Sequence, residues 1–139
     1  MNKIITVLLL FISAIATAQS SDADKIIGTY NTEGNKGKVD ITKNGDKYNG
    51  TLIWTKESGA LDKNNPDEKE RKNKVVGKVI LKDFVYTGSG TWEKGTVYDP
   101  ESGKTYSGKL TLTKDGDLNM RGFVGFSAFG RTTVWKREK

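Results

Sequence analysis

The sequence has 139 residues, of which 29% are charged and 35% hydrophobic; its formal net charge is +6, and it contains neither cysteine nor histidine. That composition excludes disulfide bracing, thiolate or Ser–His nucleophilic catalysis, and the Cys/His sites that four-coordinate zinc requires. The cations are interleaved with acidic residues rather than gathered on one stretch, so no nucleic-acid footprint is expected.

Residues 1–18 read as a secretory signal peptide. Lys3 supplies the positive start, Ile4 to Ile15 form an apolar run too short to anchor stably in a bilayer, and Ala16-Thr17-Ala18 offers a small-x-small cleavage site. No cysteine follows the cut, so a lipid anchor is not expected, nor is a transmembrane segment after cleavage. The chain is therefore expected to be exported, to the periplasm or beyond. Residues 19–24 read as a flexible N-terminal segment, and 25–139 as one domain, a size that supports a single modest core.

Within that domain the apolar residues repeat with period two, in short runs broken by Gly, Asn and Asp, which is the pattern of an all-β chain. Gly28-Thr29-Tyr30 lies in the first strand. Lys38 to Lys43 alternate strictly, and Asn44-Gly45 offers the residues of a type I′ hairpin turn. On the return strand, Lys47 to Trp54, the side chains of Tyr48, Leu52 and Trp54 fall on one face. Lys56 to Lys74 is a polar excursion of about twenty residues, too long for an ordinary hairpin connection. Asn65-Pro66-Asp67-Glu68 within it resembles a helix start, with Asn65 as cap and Pro66 in the first helical position. The excursion is read either as a lid over a barrel mouth or as a solvated loop.

Val75 to Lys82, Phe84 to Trp92 and Gly95 to Tyr98 then have strand composition, and Asp99-Pro100-Glu101-Ser102-Gly103 is a turn. Lys104 to Thr113 begins a fresh strand. Gly108 to Asp117 echoes Gly37 to Asp46, an echo that the turn chemistry of any antiparallel meander would produce. Leu118 to Val124 and Gly130 to Arg137 complete the set. The expected fold is an antiparallel meander of eight or nine strands closed into a barrel, with one short helix in the long loop; closure removes the exposed edges of an open sheet.

No catalytic residue emerges from this pattern. Glu93 and Asp99 are a conceivable carboxylate pair for glycoside hydrolysis, but acidic residues at strand ends are ordinarily solvated. Asp62 to Asp67 spaces oxygen ligands as a calcium loop does, yet Pro66 stands where the loop's sharp turn needs Gly and no Glu follows at the twelfth position. Neither metal nor cofactor is expected. The last strand is more telling, because Arg131, Thr133 and Trp135 share a face. If Trp135 points inward Arg131 does too, and then either closes the barrel end or meets an anionic ligand. Arg121, opposite in phase to Leu118, Met120 and Val124, is expected to face solvent. Gly122 to Gly130 places Phe123, Phe126 and Phe129 among glycines. These rings are expected to be buried, either plugging the interior or lining an apolar pocket mouth.

Trp92 with Asp99-Pro100-Glu101-Ser102-Gly103-Lys104-Thr105-Tyr106, Leu110-Thr111-Leu112, Arg121-Gly122-Phe123-Val124-Gly125 and Phe129-Gly130-Arg131-Thr132-Thr133-Val134-Trp135 together resemble the exported bacterial domain-of-unknown-function family 2147. Asp62 to Asp67 is similar to that family's Asn-Pro-Asp loop. The resemblance implies a lipocalin-like barrel in the bacterial envelope, and no reaction, substrate or cofactor. In such barrels a Gly-x-aromatic on the first strand faces a late Arg and seals one end; Tyr30 stands here where Trp is usual.

Two functional readings follow. In the first, the barrel binds a small apolar or anionic amphipathic ligand beneath the 56–74 loop, with Trp54, Tyr106, Phe126 and Trp135 lining the site and Arg131 anchoring a carboxylate or phosphate. In the second, a filled barrel displays its charged loop to another envelope protein or to an anionic surface. An enzyme ranks third.

Overall fold

The computed structural model describes residues 22–139; the signal-peptide reading falls on residues outside that range. Eight antiparallel strands run β1 (Gly28–Asn31), β2 (Gly37–Asn44), β3 (Lys47–Thr55), β4 (Val79–Gly88), β5 (Thr91–Asp99), β6 (Lys104–Leu112), β7 (Leu118–Phe123) and β8 (Arg131–Arg137). Each pairs with the next, and β8 returns to β1 through Tyr30↔Arg137 and Asn31↔Lys136, which closes the barrel. Closure pairs the edge strands that would otherwise offer free N–H and C=O groups.

Alternation fixes the interior. Tyr30, Val39, Ile41, Tyr48, Leu52, Leu81, Phe84, Trp92, Val97, Leu110, Leu118 and Trp135 are all buried in one cluster. Burying branched and aromatic side chains of this size stabilises by roughly 1.5–3 kcal/mol each. Three strand boundaries fall elsewhere than the sequence pattern suggests. Asp83 and Lys94 look like strand ends, but they are left-handed residues (φ 62° and 67°) inside β4 and β5, and the reversal between those strands comes at Ser89-Gly90. The Asp83 amide donates to Asn49 Oδ1 at 2.9 Å, so the irregularity is held from the neighbouring strand. The β2–β3 turn also shifts by one residue: Asn44 pairs with Lys47, and Gly45 takes the positive φ (65°) that the two-residue loop Gly45-Asp46 requires.

The interior is filled through close backbone approach. Gly108 lets the Phe84 ring lie flat across the sheet, since a Cβ there would stand 2.5 Å from Phe84 Cζ and 2.8 Å from Val97 Cγ2. Gly95 meets the other side of the same ring. The expected short helix is a single 3-10 turn, Glu68–Glu70. Asn65 does not cap it; its Oδ1 accepts from the Asp67 amide (2.8 Å), and Asp67 in turn caps Lys69 (3.1 Å). No helix among the described residues is long and apolar enough to cross a membrane.

Candidate functional site

The two ends of the barrel are built differently. At the end where β1 begins and β8 finishes, the 3-10 turn Asp24–Ile26 crosses the opening and buries Ile26 against the core. The Trp92 indole donates to the Ala23 carbonyl (3.2 Å), and Tyr48 donates to Asp24, which Lys43 also reaches at 3.0 Å. Residues 23 and 24, assigned by sequence to the N-terminal segment, are thus tied to the barrel. Burial, and then the Asp24 carboxylate, push the Tyr48 hydroxyl well above its ordinary pKa.

Tyr30 seals this end together with an arginine, but the arginine is Arg137 and not Arg131. The Arg137 guanidinium lies 5.0 Å from the Tyr30 ring centroid, and it donates to the Tyr30 hydroxyl, to Lys25 O (2.6 Å) and to Gly116 O (3.0 Å). The Tyr30 hydroxyl in turn donates to Ile26 O at 2.7 Å. Both arginines share the inward phase of β8, and the antiparallel pairing of β8 with β1 decides which meets Tyr30: Arg137 pairs with it at the strand's end, whereas Arg131 opens the strand at the far rim. There Arg131 is 83% exposed and reaches only Glu33 Oε2, at 3.5 Å.

At that far end, the mouth, the segment between β3 and β4 folds back over the barrel. It is pinned by a short antiparallel bridge, Leu61↔Lys74, and by Asp62 N donating to Asn73 O at 2.9 Å. Val75 drops into the core. The anchor is Asp62, which is fully buried. Its Oδ1 accepts from the Tyr98 hydroxyl (2.6 Å); its Oδ2 accepts from Asn65 Nδ2 (2.7 Å) and from Lys78 Nζ (2.7 Å). Lys78 also reaches Glu70 Oε2 at 3.3 Å. Burial alone would raise the Asp62 pKa, but the hydrogen bonds from Asn65, Lys78 and Tyr98 and the Lys78 charge outweigh it and hold the carboxyl below the ordinary range. The Asp62 partnership likewise raises Lys78. Both oxygens of Asp62, the first donor considered for calcium, are thus occupied by an ammonium, an amide and a phenol.

This cover spans only part of the mouth. It docks on the β5–β6 turn, where Asn64 Nδ2 donates to Glu101 O (2.8 Å) and Gly103, at φ 72°, leaves no room for a Cβ beneath the Asn64 carbonyl. The inner wall of β6–β8 is left half-exposed: Tyr106 beside Gly122, then Met120 opposite Thr133, with the buried Trp135 indole below, donating to Thr133 Oγ1 at 3.1 Å.

Of the residues singled out by sequence, Tyr106 and Trp135 share this wall. Trp54 does not, because an irregularity at Ile53 puts Leu52 opposite Val39 but Trp54 opposite Lys38 and turns the indole outward; it is 43% exposed, with Lys38 Nζ 5.7 Å above its ring. Phe126 and Phe129 are not buried as expected but 75% and 81% exposed, and Val124 is 74% exposed. The link that carries them is held out by Arg121, whose guanidinium donates to Ser127 O (2.6 Å), Ala128 O (3.3 Å) and Thr132 Oγ1 (2.8 Å). Glu93 faces outward to Lys109, and Asp99 accepts from Glu101 N and Ser102 Oγ in its own turn, so the two carboxylates do not form a pair. Sequence reasoning put Thr133 in phase with Trp135 and Met120 in phase with Leu118 without naming either as a site residue, and it missed the Asp62–Lys78–Tyr98 cluster. Nothing local predicts that a loop aspartate meets a lysine just before β4 and a tyrosine on β5.

The chain is similar to a solved structure described as protein HP1028 from the human pathogen Helicobacter pylori, which belongs to the lipocalin family. The identity is 26% and the TM-score 0.75, with 82% of this chain and 83% of that one covered. No curated protein matches. Residues 28–137 match a family described as "uncharacterized protein conserved in bacteria", and the chain belongs to that family, DUF2147.

Proposed function

We propose that this protein is an exported binder of a small apolar or amphipathic molecule, taken up in the open half of the barrel mouth. The observation that carries the reading is the asymmetry of the mouth. The lid is latched over the β3–β5 side, while Tyr106, Met120 and Thr133 on β6–β8 are only partly buried on the inner wall above Trp135. Such a wall, apolar with a few polar groups, has the usual lining of a small-molecule site, and eight-stranded barrels hold one small ligand where side chains leave room. Arg131, solvated at the rim, supplies a cation for a carboxylate or phosphate head. Kinship with a lipocalin-family structure supports the same reading.

A charged loop displayed to an envelope protein is less well supported, because Asp62, Asn64 and Asn65 of that loop are committed to the barrel. Trp135 emission provides the test. In a Trp54→Phe variant, which removes the solvated indole, titration with fatty acids and lysophospholipids should shift the emission, and adding Met120→Phe should block the shift. Native mass spectrometry of protein from its own host should show a bound adduct. Unchanged emission with every ligand class, together with an adduct-free mass, would overturn the reading.

A further inference from the structure

Between Leu118 and Arg137 every charged residue is basic, and the same holds for Lys104 to Leu112 on the neighbouring strand. Three of these cations, Lys104, Arg121 and Arg131, lie at the mouth. The acids beside them are few. Glu33 makes a long contact with Arg131, Asp99, opposite Lys104 in register, is engaged in its own turn, and Glu101 of that turn reaches Lys36 at 3.4 Å. From the middle of this basic sector project Val124, Phe126 and Phe129, three of the most exposed large apolar side chains among the described residues.

The exposure is built in. Arg121 spans the link with three hydrogen bonds, and Gly130 packs against Gly122 O, where a Cβ would stand at 2.6 Å. The rings are therefore held outward by the backbone instead of folding back onto the mouth. Exposed large apolar groups set among cations mark a surface meant for something apolar and negatively charged. We propose that the 124–129 link is a membrane-docking tip that inserts Val124, Phe126 and Phe129 into the interface of an anionic phospholipid bilayer while Lys104, Arg121 and Arg131 face the headgroup phosphates. The proposal stands apart from the ligand reading, since it concerns the outer rim and not the inner wall. It does place the mouth against a membrane.

The test is co-sedimentation of protein purified from its host with phosphatidylglycerol-containing vesicles and with pure phosphatidylcholine vesicles, at low and high salt. A Phe126→Ser/Phe129→Ser variant keeps the same N-terminus, so the difference between the two proteins reports the tip alone. The wild type should bind the anionic vesicles, more weakly at high salt. The variant should lose roughly tenfold in partitioning per ring, on the order of a hundredfold in all, with an unchanged circular dichroism spectrum. A single Phe126→Trp variant should blue-shift its emission on the same vesicles. Equal binding by wild type and double variant, no binding to any vesicle, or self-association in place of vesicle binding would each overturn the proposal.

Discussion

Replacing Asp62 by Asn isolates the charge of the lid anchor from its shape. The amide can be accommodated: its nitrogen can donate to the Tyr98 hydroxyl, which accepts as well as donates, while its oxygen receives Lys78 and Asn65 as Oδ2 does in the wild type. What is lost is the negative charge facing Lys78. Stripping one member from a buried ion pair costs about 3–5 kcal/mol, but Lys78 keeps 19% side-chain exposure and a second partner in Glu70. The expected loss is therefore about 2 kcal/mol, or roughly 8 °C in Tm for a domain of this size.

The pH dependence separates this account from simple misfit. Because the folded-state pKa of Asp62 lies below the ordinary 3.8, the carboxylate's contribution is complete above the unfolded-state pKa and is lost as pH falls through the folded one. Denaturant unfolding at neutral pH and well below pH 3.8 should show the Asp62→Asn deficit shrinking with acid. Hydrogen exchange at neutral pH should show faster opening of the Asp62 and Val75 amides, which bond across the loop. A deficit that stays the same at both pH values would refute the electrostatic argument.

Other outcomes follow from the same geometry. Arg137→Ala should lower stability by about 2–3 kcal/mol through lost hydrogen bonds and the contact with the Tyr30 ring, whereas Arg131→Ala should stay within about 0.5 kcal/mol of wild type; comparing their urea midpoints checks both. Gly108→Ala drives a methyl into Phe84 and Val97 and should cost roughly 1–3 kcal/mol, much of it recoverable in a Gly108→Ala/Phe84→Leu double variant measured the same way. Tyr98→Phe removes a hydrogen bond to a buried carboxylate and should cost about 1.5–3 kcal/mol at neutral pH while leaving emission from the distant Trp92 unchanged.

The strand order and the closure were legible because period two and turn residues are local signals, and an eight-stranded meander leaves little choice of pairing once its edges must be satisfied. Three of the misreadings share one cause. Trp54, Asp83 and Lys94 all lie at or beside irregularities where a strand carries an extra residue, and there alternation reverses without any mark in composition. Arg131 and Arg137 are equivalent in phase, and the sealing role falls to the second because β8 closes the barrel antiparallel to β1, so that its end and not its start lies beside Tyr30. Phe126 and Phe129 went against the expectation that large rings are buried, and Arg121 supplies the reason: a guanidinium bonded to two carbonyls of the link fixes its path before the rings can choose one.

These exceptions are not scattered. The end closed by Ile26, Tyr30, Trp92 and Arg137 obeys the ordinary rules, with large side chains buried and every polar tip given a backbone partner. At the mouth the rules are broken three times: a carboxylate is buried in Asp62, rings are exposed in Phe126 and Phe129, and Tyr106, Met120 and Thr133 on the inner wall are only partly buried. Each departure costs free energy that a purely structural barrel would not need to spend, and natural sequences concentrate such departures where they act. The closed end supplies the stability that lets the mouth be irregular. Function is therefore to be sought among Tyr106, Met120, Phe126 and Phe129, where changes should alter binding before they alter the fold, whereas changes at Asp62 loosen the lid itself.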